Sequence, residues 1–435
     1  MLLALMSVTL PHIGAENKRK PLTAEQKAFI VSRFCSEVKY NFVHYDKLKF
    51  DWDSLCMAQL PELVATRNDA EFVNGLEALN ACLRDGHTFI STSRGWNEGD
   101  SKKWIKPFPL KTRLVEGRVI VDVVESRKLQ EKGVERGCEI IAIDGEPVKD
   151  YCYRTIAPYV YSSTPQWTDY RTFNGYEVTK APGDQVSEIE FLTLSGKRIV
   201  VKSDRNSLDW GLGQDSDQDC FEYKVLDGNI GYLKVDNFMQ NSFSKSRFDE
   251  IYTEILKTDG LVIDLRDNGG GNSANADYMM SHFCDSLIPN GEWRTPKYIA
   301  AYASWNMPRE LHVVKGQSVK PVLGKDIYLK PICVLVSERT FSSAENFCLL
   351  FRNASRGKLI GVSTGGSSGN PIILDLGYGV KCGICTREEF FANGTPFVGI
   401  GIKPDVEVPE SVADFICGRD KVLATALEEI AKAIR

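Results

Sequence analysis

Apolar and polar positions change their rhythm twice along this chain, dividing it into three textures. In "LTAEQKAFIVSRFCSEVKYNF" the residues Phe29, Ile30, Phe34, Val38 and Phe42 recur at helical spacing, and Thr23 and Gln26 stand in capping-box register ahead of them. A later helix is predicted from about Asp69, with Phe72, Leu76, Leu79 and Leu83 on one face. It is expected to stop at Gly86, because glycine takes the left-handed conformation that ends helices; His87 follows directly. From about 106 to 205 the rhythm shortens to strand-like runs: "RVIVDVV", "EIIAIDG", "SEIEFLTL" and "RIVVKS". Beyond 206 strands and helices alternate. "GNIGYLKVDNF", "GLVIDLR", "ICVLVS" and "KLIGVST" read as strands, while "SKSRFDEIYTEILKT" and "SAENFCLLFRNAS" read as helices, the mark of βαβ units covering a sheet. "PIILDLGYGVKCGICTR" predicts a hairpin around Gly377–Gly379, and "DKVLATALEEIAKAIR" a closing helix.

Composition narrows the classes. At 435 residues the chain exceeds one ordinary core, and 43% hydrophobic with 26% charged residues is globular rather than disordered. A net charge of -5 offers no basic stripe for nucleic acid, and "NKRK" at 17–20 is the one basic block. The opening "MLLALMSVTLPHIGA" is too short to span a bilayer, so no stable membrane insertion is expected. It matches the apolar region of a secretory leader, without the usual positive start, which points to a periplasmic or secreted protein with a leader over 1–20. Twelve scattered cysteines imply no small disulfide framework. "CGIC" at 382–385 lacks the second pair that a zinc site needs and reads as two cysteines along a strand.

Candidate chemistry gathers in two places. "LVSERTFSSAENF" sets Ser342 between a buried strand and a helix, where a serine commonly serves only as a cap. The same place offers a nucleophile the dipole and free amides of a helix start, with the Ser343 N–H as one donor to an oxyanion. "DLRDNGGG", 264–271, leaves its strand into glycines; such a run more often marks a turn, yet its amides can approach a ligand closely.

Taken together, "GLVIDLRDNGGG", "VLVSERTFSSAENF", "LIGVSTGG" and "GIGIKPDVEV" resemble, in order and spacing, the tail-specific (C-terminal processing) serine peptidase family. "KLQEKGVERGCEIIAIDGEPV" resembles a PDZ domain, with Cys138 where an acidic residue is common and with a long insert, "PYVYSSTPQWTDYRTFNGYEVTKAPGD". The resemblance implies a multidomain α/β protein: a helical N-terminal domain over 21–105, a PDZ-like domain over 106–205, and a peptidase domain over 206–435 with a crotonase/ClpP-like ββα core. Carried over, the motif glutamate is Glu345, the nucleophile Ser342, the oxyanion neighbour Ser343 and the glycine pair Gly270 and Gly271. Many members use a lysine base within "T-F-G-K-G"; the matching stretch here is "TGGSSG", which puts Ser367 at that position. Lys358 and Lys381 lie elsewhere and read as solvated charges.

A histidine-using branch, similar to tricorn core protease, carries its base at the end of an N-terminal helix. "CLRDGHTFIS" matches that arrangement and assigns the role to His87, one of five histidines. The carboxylate that would orient the ring falls on Val398, leaving Glu388, Glu389, Asp85 or a backbone carbonyl for that task. Asp264 and Arg266 are expected to brace their strand, and Asp405 to cap a turn after Pro404. The implied function is a serine endopeptidase or C-terminal processing peptidase acting on extended polypeptides through an acyl-enzyme, with no metal or organic cofactor. The alternative is an inactive peptide- or lipophile-binding relative of the same fold.

Overall fold

The computed structural model describes residues 20–93, 107–180, 186–204, 207–209 and 219–434. The expected leader lies, apart from Lys20, outside the described residues.

Three helices open the chain, α1 (Ala24–Asn41), α2 (Trp52–Val64) and α3 (Asp69–Ala81). Each starts on a side-chain cap. Thr23 and Gln26 exchange hydrogen bonds of 3.3 and 3.0 Å, Asp51 accepts from the Ser54 N–H, and Asn68 from the Glu71 N–H. Ile30, Val31, Phe34 and Val38 of α1 are buried, but Phe29 is half exposed and lies edge-on to Tyr378. The expected stop also moves. α3 ends at Ala81, and Arg84, not Gly86, takes the left-handed conformation. Gly86 serves another end: a Cβ there would lie 2.9 Å from both Phe341 Cζ and Ser367 Oγ.

A short strand, β1 (Phe89–Thr92), then pairs with a hairpin from far along the chain, and Leu376, Val380, Cys382, Ile384 and Cys385 of that hairpin region complete the core beneath the three helices. The late hairpin and the early helices therefore share one apolar centre. The two cysteines of "CGIC" are buried there, Cys382 on the strand and Cys385 just past its end, as the strand reading expects.

The middle of the chain forms an antiparallel sheet of β2 (Leu110–Val115), β3 (Arg118–Val124), β4 (Glu139–Ile143), β6 (Val186–Leu192) and β7 (Arg198–Asp204), in that order, with β5 (Glu146–Pro147) against β4. It has its own core around Phe108, Ile140, Phe173 and Phe191. The insert between β5 and β6 folds into helices Val148–Thr155 and Pro165–Phe173, the second capped by Thr164.

The last part carries a six-stranded sheet. β8 (Phe221–Leu226) pairs antiparallel with β9 (Ile230–Val235), and β10 (Gly260–Asp264) continues in parallel. A small second sheet holds β11 (Glu292–Lys297) and β12 (Glu310–Lys315), after which β13 (Ile332–Val336) and β14 (Gly357–Gly361) return to the first. The hairpin is β15 (Ile372–Gly377) and β16 (Val380–Ile384); β17 (Glu388–Glu389) joins β11, and β18 (Val406–Glu407) closes the large sheet beside β14. All five residues of β10 and of β13 are buried, as expected of strands covered on both faces. Helices Lys245–Ile255, Ser273–Met280 and Ser343–Asn353 pack on one side, and Lys421–Ile434 on the other. Arg266 joins Asp264 to Asp420 at the start of that last helix, so this pair braces the sheet as expected. Asp405 does more than cap a turn: it accepts the Leu359 N–H at 2.8 Å and ties β18 to β14. Among the described residues no helix is long and apolar enough to cross a membrane.

Candidate active site

β10 and β13 are parallel neighbours, so the loops leaving their C-terminal ends meet at one crevice. Phe341 donates its N–H to the Asn268 carbonyl, fastening one loop to the other at 3.0 Å. Ser342 comes next, at φ 57° and ψ -123°, outside the regions that L-residues ordinarily occupy and costing about 1–3 kcal/mol. Its N–H is held by the Ser367 carbonyl and by Glu345 Oε2, each at 3.2 Å. Glu345 is fully buried. Burial pushes its carboxyl up to about 7, against the hydrogen bonds that it accepts from the Thr364 hydroxyl and from the amides of Ser367, Gly366 and Ser342. The glutamate thus ties the helix start to the 364–367 loop.

His87 reaches the same crevice from the far side. Asp85 Oδ1 accepts both the His87 N–H (2.9 Å) and the Thr88 hydroxyl (2.8 Å), and Gly86 donates its N–H to Ser163 Oγ (2.9 Å). The ring then stands with Nε2 3.0 Å from Ser342 Oγ and Nδ1 2.8 Å from Ser367 Oγ. It stacks on Phe341 at 4.9 Å, and Phe341 stacks on Trp167 at 4.4 Å. Burial lowers the pKa of the imidazole below its ordinary value, with the Asp85 carboxylate opposing.

Two glycines face the serine. A Cβ on Gly270 would fall 2.6 Å from Ser342 Cβ and 2.7 Å from the Phe341 carbonyl, and one on Gly271 would fall 2.3 Å from the Phe238 carbonyl carbon. Their φ angles of 93° and 146° belong to glycine in any case. The Gly270 N–H is already donated to Asn268 Oδ1 at 2.9 Å, and the Ser343 hydroxyl donates to the Gly271 carbonyl at 2.8 Å.

Comparison with known proteins gives the family of the later part of the chain. The model of "Peptidase family S41" matches residues 229–408, which hold Ser342, Ser343, Glu345 and the glycine pair. This segment is a peptidase family S41 domain. A carboxy-terminal-processing protease of Bartonella bacilliformis is 27% identical over 214 residues, 46% of this chain and 44% of that protein. A chloroplastic C-terminal processing peptidase of Tetradesmus obliquus is 25% identical over 202 residues, 45% and 39% of the two chains. The matched stretch thus spans less than half of these relatives' length. In fold, the crystal structure of mature CPAF superposes with a TM-score of 0.74 over 94% of this chain and 98% of that one, at 14% identity. The mixed α/β architecture with its helical opening and several sheets is therefore shared beyond the S41 domain.

The S41 domain supplies the serine and the glycines but not the histidine, which lies 255 residues before Ser342. None of the carboxylates expected to orient the ring hydrogen-bonds to it. Glu388 pairs with Lys47, Glu389 with Arg387 and the Ser368 hydroxyl, and Asp85 with the loop backbone and Thr88; Val398 packs against the large core. Ser367 holds Nδ1 instead, and Ser163 donates to Ser367 Oγ at 3.2 Å. Lys358 is paired with Glu429 and Lys381 is exposed on β16, both apart from the serine. Sequence reasoning passed over Ser163, Trp167 and Phe341. Nothing in the insert's local pattern signals that it closes over a crevice built by other segments, whereas the serine in "TGGSSG" was visible as a departure from the lysine pattern.

Proposed function

We propose that this chain is a serine peptidase that hydrolyses peptide bonds in extended polypeptides, with Ser342 as nucleophile and His87 as general base. The observation that carries the reading is the 3.0 Å approach of His87 Nε2 to a hydroxyl held in strained backbone at a helix start. Ser342 Oγ attacks the carbonyl carbon while its proton passes to Nε2. The tetrahedral oxyanion is received by the Ser343 N–H and the Gly271 N–H, and Gly270 provides clearance rather than a donor, since its amide is engaged. The imidazolium then protonates the leaving amine, and water, deprotonated by the same ring, releases the acyl group. Ser367 acts as a positioning residue: accepting from Nδ1–H, it leaves the lone pair on Nε2, where the reaction needs it.

The same reading covers the finer assignments. The antiparallel module over 106–205 is taken as a PDZ-like domain that grips extended peptide, the 206–435 part as a ClpP-like core, and the helices before 105 as the carrier of the base. The disulfide between Cys35 and Cys56 supports an oxidising compartment, in keeping with a periplasmic or secreted protein. A fluorophosphonate probe and unstructured peptides test the function: the parent should label and cleave, and Ser342→Ala should do neither. A serine in Nδ1 contact where a carboxylate is usual keeps the inactive-binder reading open, and a parent that binds peptide yet neither labels nor cleaves establishes it.

A further inference from the structure

Behind His87, on the side away from Ser342, three chain segments bring a histidine, a carboxylate and a thiol together in the interior. His44 follows α1, Asp85 opens the turn that carries His87, and Cys385 lies just past the end of the hairpin strand β16. Their ligand-capable atoms all lie within 4.8 Å of one another. Asp85 is 1% exposed. Its Oδ1 is satisfied twice, by the His87 N–H and the Thr88 hydroxyl, whereas its other side-chain interaction is with the Cys385 thiol, and the buried Nε2 of His44 has no hydrogen-bond partner among the described residues. Buried polar atoms are ordinarily paired, because leaving one unmade costs about 1–3 kcal/mol. An unpartnered imidazole nitrogen beside a carboxylate oxygen met only by a weakly donating thiol is a donor set that one shared ion would satisfy.

We propose that His44, Asp85 and Cys385 bind one divalent transition-metal ion of the zinc class, which fixes the turn carrying His87 against the hairpin. Thiolate, imidazole and carboxylate are the donor types that select zinc. Tetrahedral zinc holds its donors roughly 3.5 Å apart, so an inward shift of about 1 Å closes the site, and a fourth position remains for water. On binding, the Cys385 S–H bond breaks, the sulfur–metal bond forms and the proton leaves to solvent. No oxidant is involved. The segments are already laced together around the cluster: Val43 donates its N–H to the Cys385 carbonyl at 3.0 Å, and Cys385 its N–H to Thr88 Oγ1 at 3.1 Å. A Cβ on Gly369 would touch Cys385 Sγ at 2.8 Å and His87 Cβ at 2.7 Å, so one backbone segment separates this cluster from the proposed base. The ion takes no part in acyl transfer, and the inference holds whether or not Ser342 proves to be a nucleophile.

The test uses the full chain with the exposed cysteines replaced, C82S/C417S, so that surface thiols do not contribute. After equilibration with Zn2+ and gel filtration, elemental analysis should find about one zinc per chain, falling to background in His44→Ala and in Cys385→Ser. Equilibration with Co2+ should give a thiolate-to-cobalt charge-transfer band, absent from Cys385→Ser. Far-UV circular dichroism identifies folded variants, the two substitutions are independent, and the parent's cobalt band needs no variant. A folded parent with no zinc and no such band overturns the proposal, as does zinc retained undiminished by both folded variants.

Discussion

His87 is the residue on which chemistry and environment meet. Its burial favours the uncharged ring, so under the proposed function the base stays competent below the pH at which a free imidazole would be protonated. The acid limb of kcat/KM for peptide hydrolysis should therefore fall below about pH 6.5, and a limb centred above pH 8 would point to an amine base instead. Removing the ring altogether, His87→Ala, should cost on the order of 10^4-fold or more in kcat. Ser367→Ala should cost less, about 10–100-fold, and chiefly in kcat, because it releases the ring without removing it. Ser367→Thr, which keeps the acceptor oxygen, should recover part of the loss; a purely steric role would not show that recovery. The placing of Ser342 at a strand-to-helix junction and of the glycine pair at the end of a buried strand was legible because the flanking apolar runs are unbroken. Ser163 and Trp167 were not, since their importance arises only where a remote insert folds over the crevice.

At the scale of elements, the turn after α3 shows why a glycine alone misplaced a helix end. Gly86 has the composition of a stop signal, but it is glycine because Phe341 and Ser367 leave no room for a side chain. Gly86→Ala should accordingly leave the stability of α3 nearly intact while lowering kcat, by displacing either the stacked Phe341 ring or the hydroxyl that holds Nδ1. Thermal melts and steady-state kinetics on the same preparation separate the two effects. In contrast, Thr23→Ala touches only the start of α1 and should lower stability by about 1 kcal/mol without changing kcat. The buried parallel strands β10 and β13 were readable as unbroken apolar runs. β1, four residues long with no clear alternation, was not, because its pairing partner lies almost 300 residues away in β16.

For the whole molecule, the decisive feature is that early helices and a late hairpin share a core. Phe34 and Phe72 pack with Val380 and Ile384, so the opening helices cannot be a freely hinged appendage. The Cys35–Cys56 bridge fastens α1 to α2 within that core and closes a loop with a sequence separation of 21. By loop-closure entropy its reduction should lower stability by about 3 kcal/mol, seen as a drop in Tm with reductant that the double Cys→Ala variant reproduces without it.

The order of assembly follows from the same long-range closure. A ribosome delivers the imidazole early and the hydroxyl late, and the hairpin that seats the imidazole emerges later still. An unfinished chain therefore holds neither the whole of the proposed reactive pair nor the scaffold to align it, so under the proposed function a cell making this protein is spared a cutting tool until the last strands are in place.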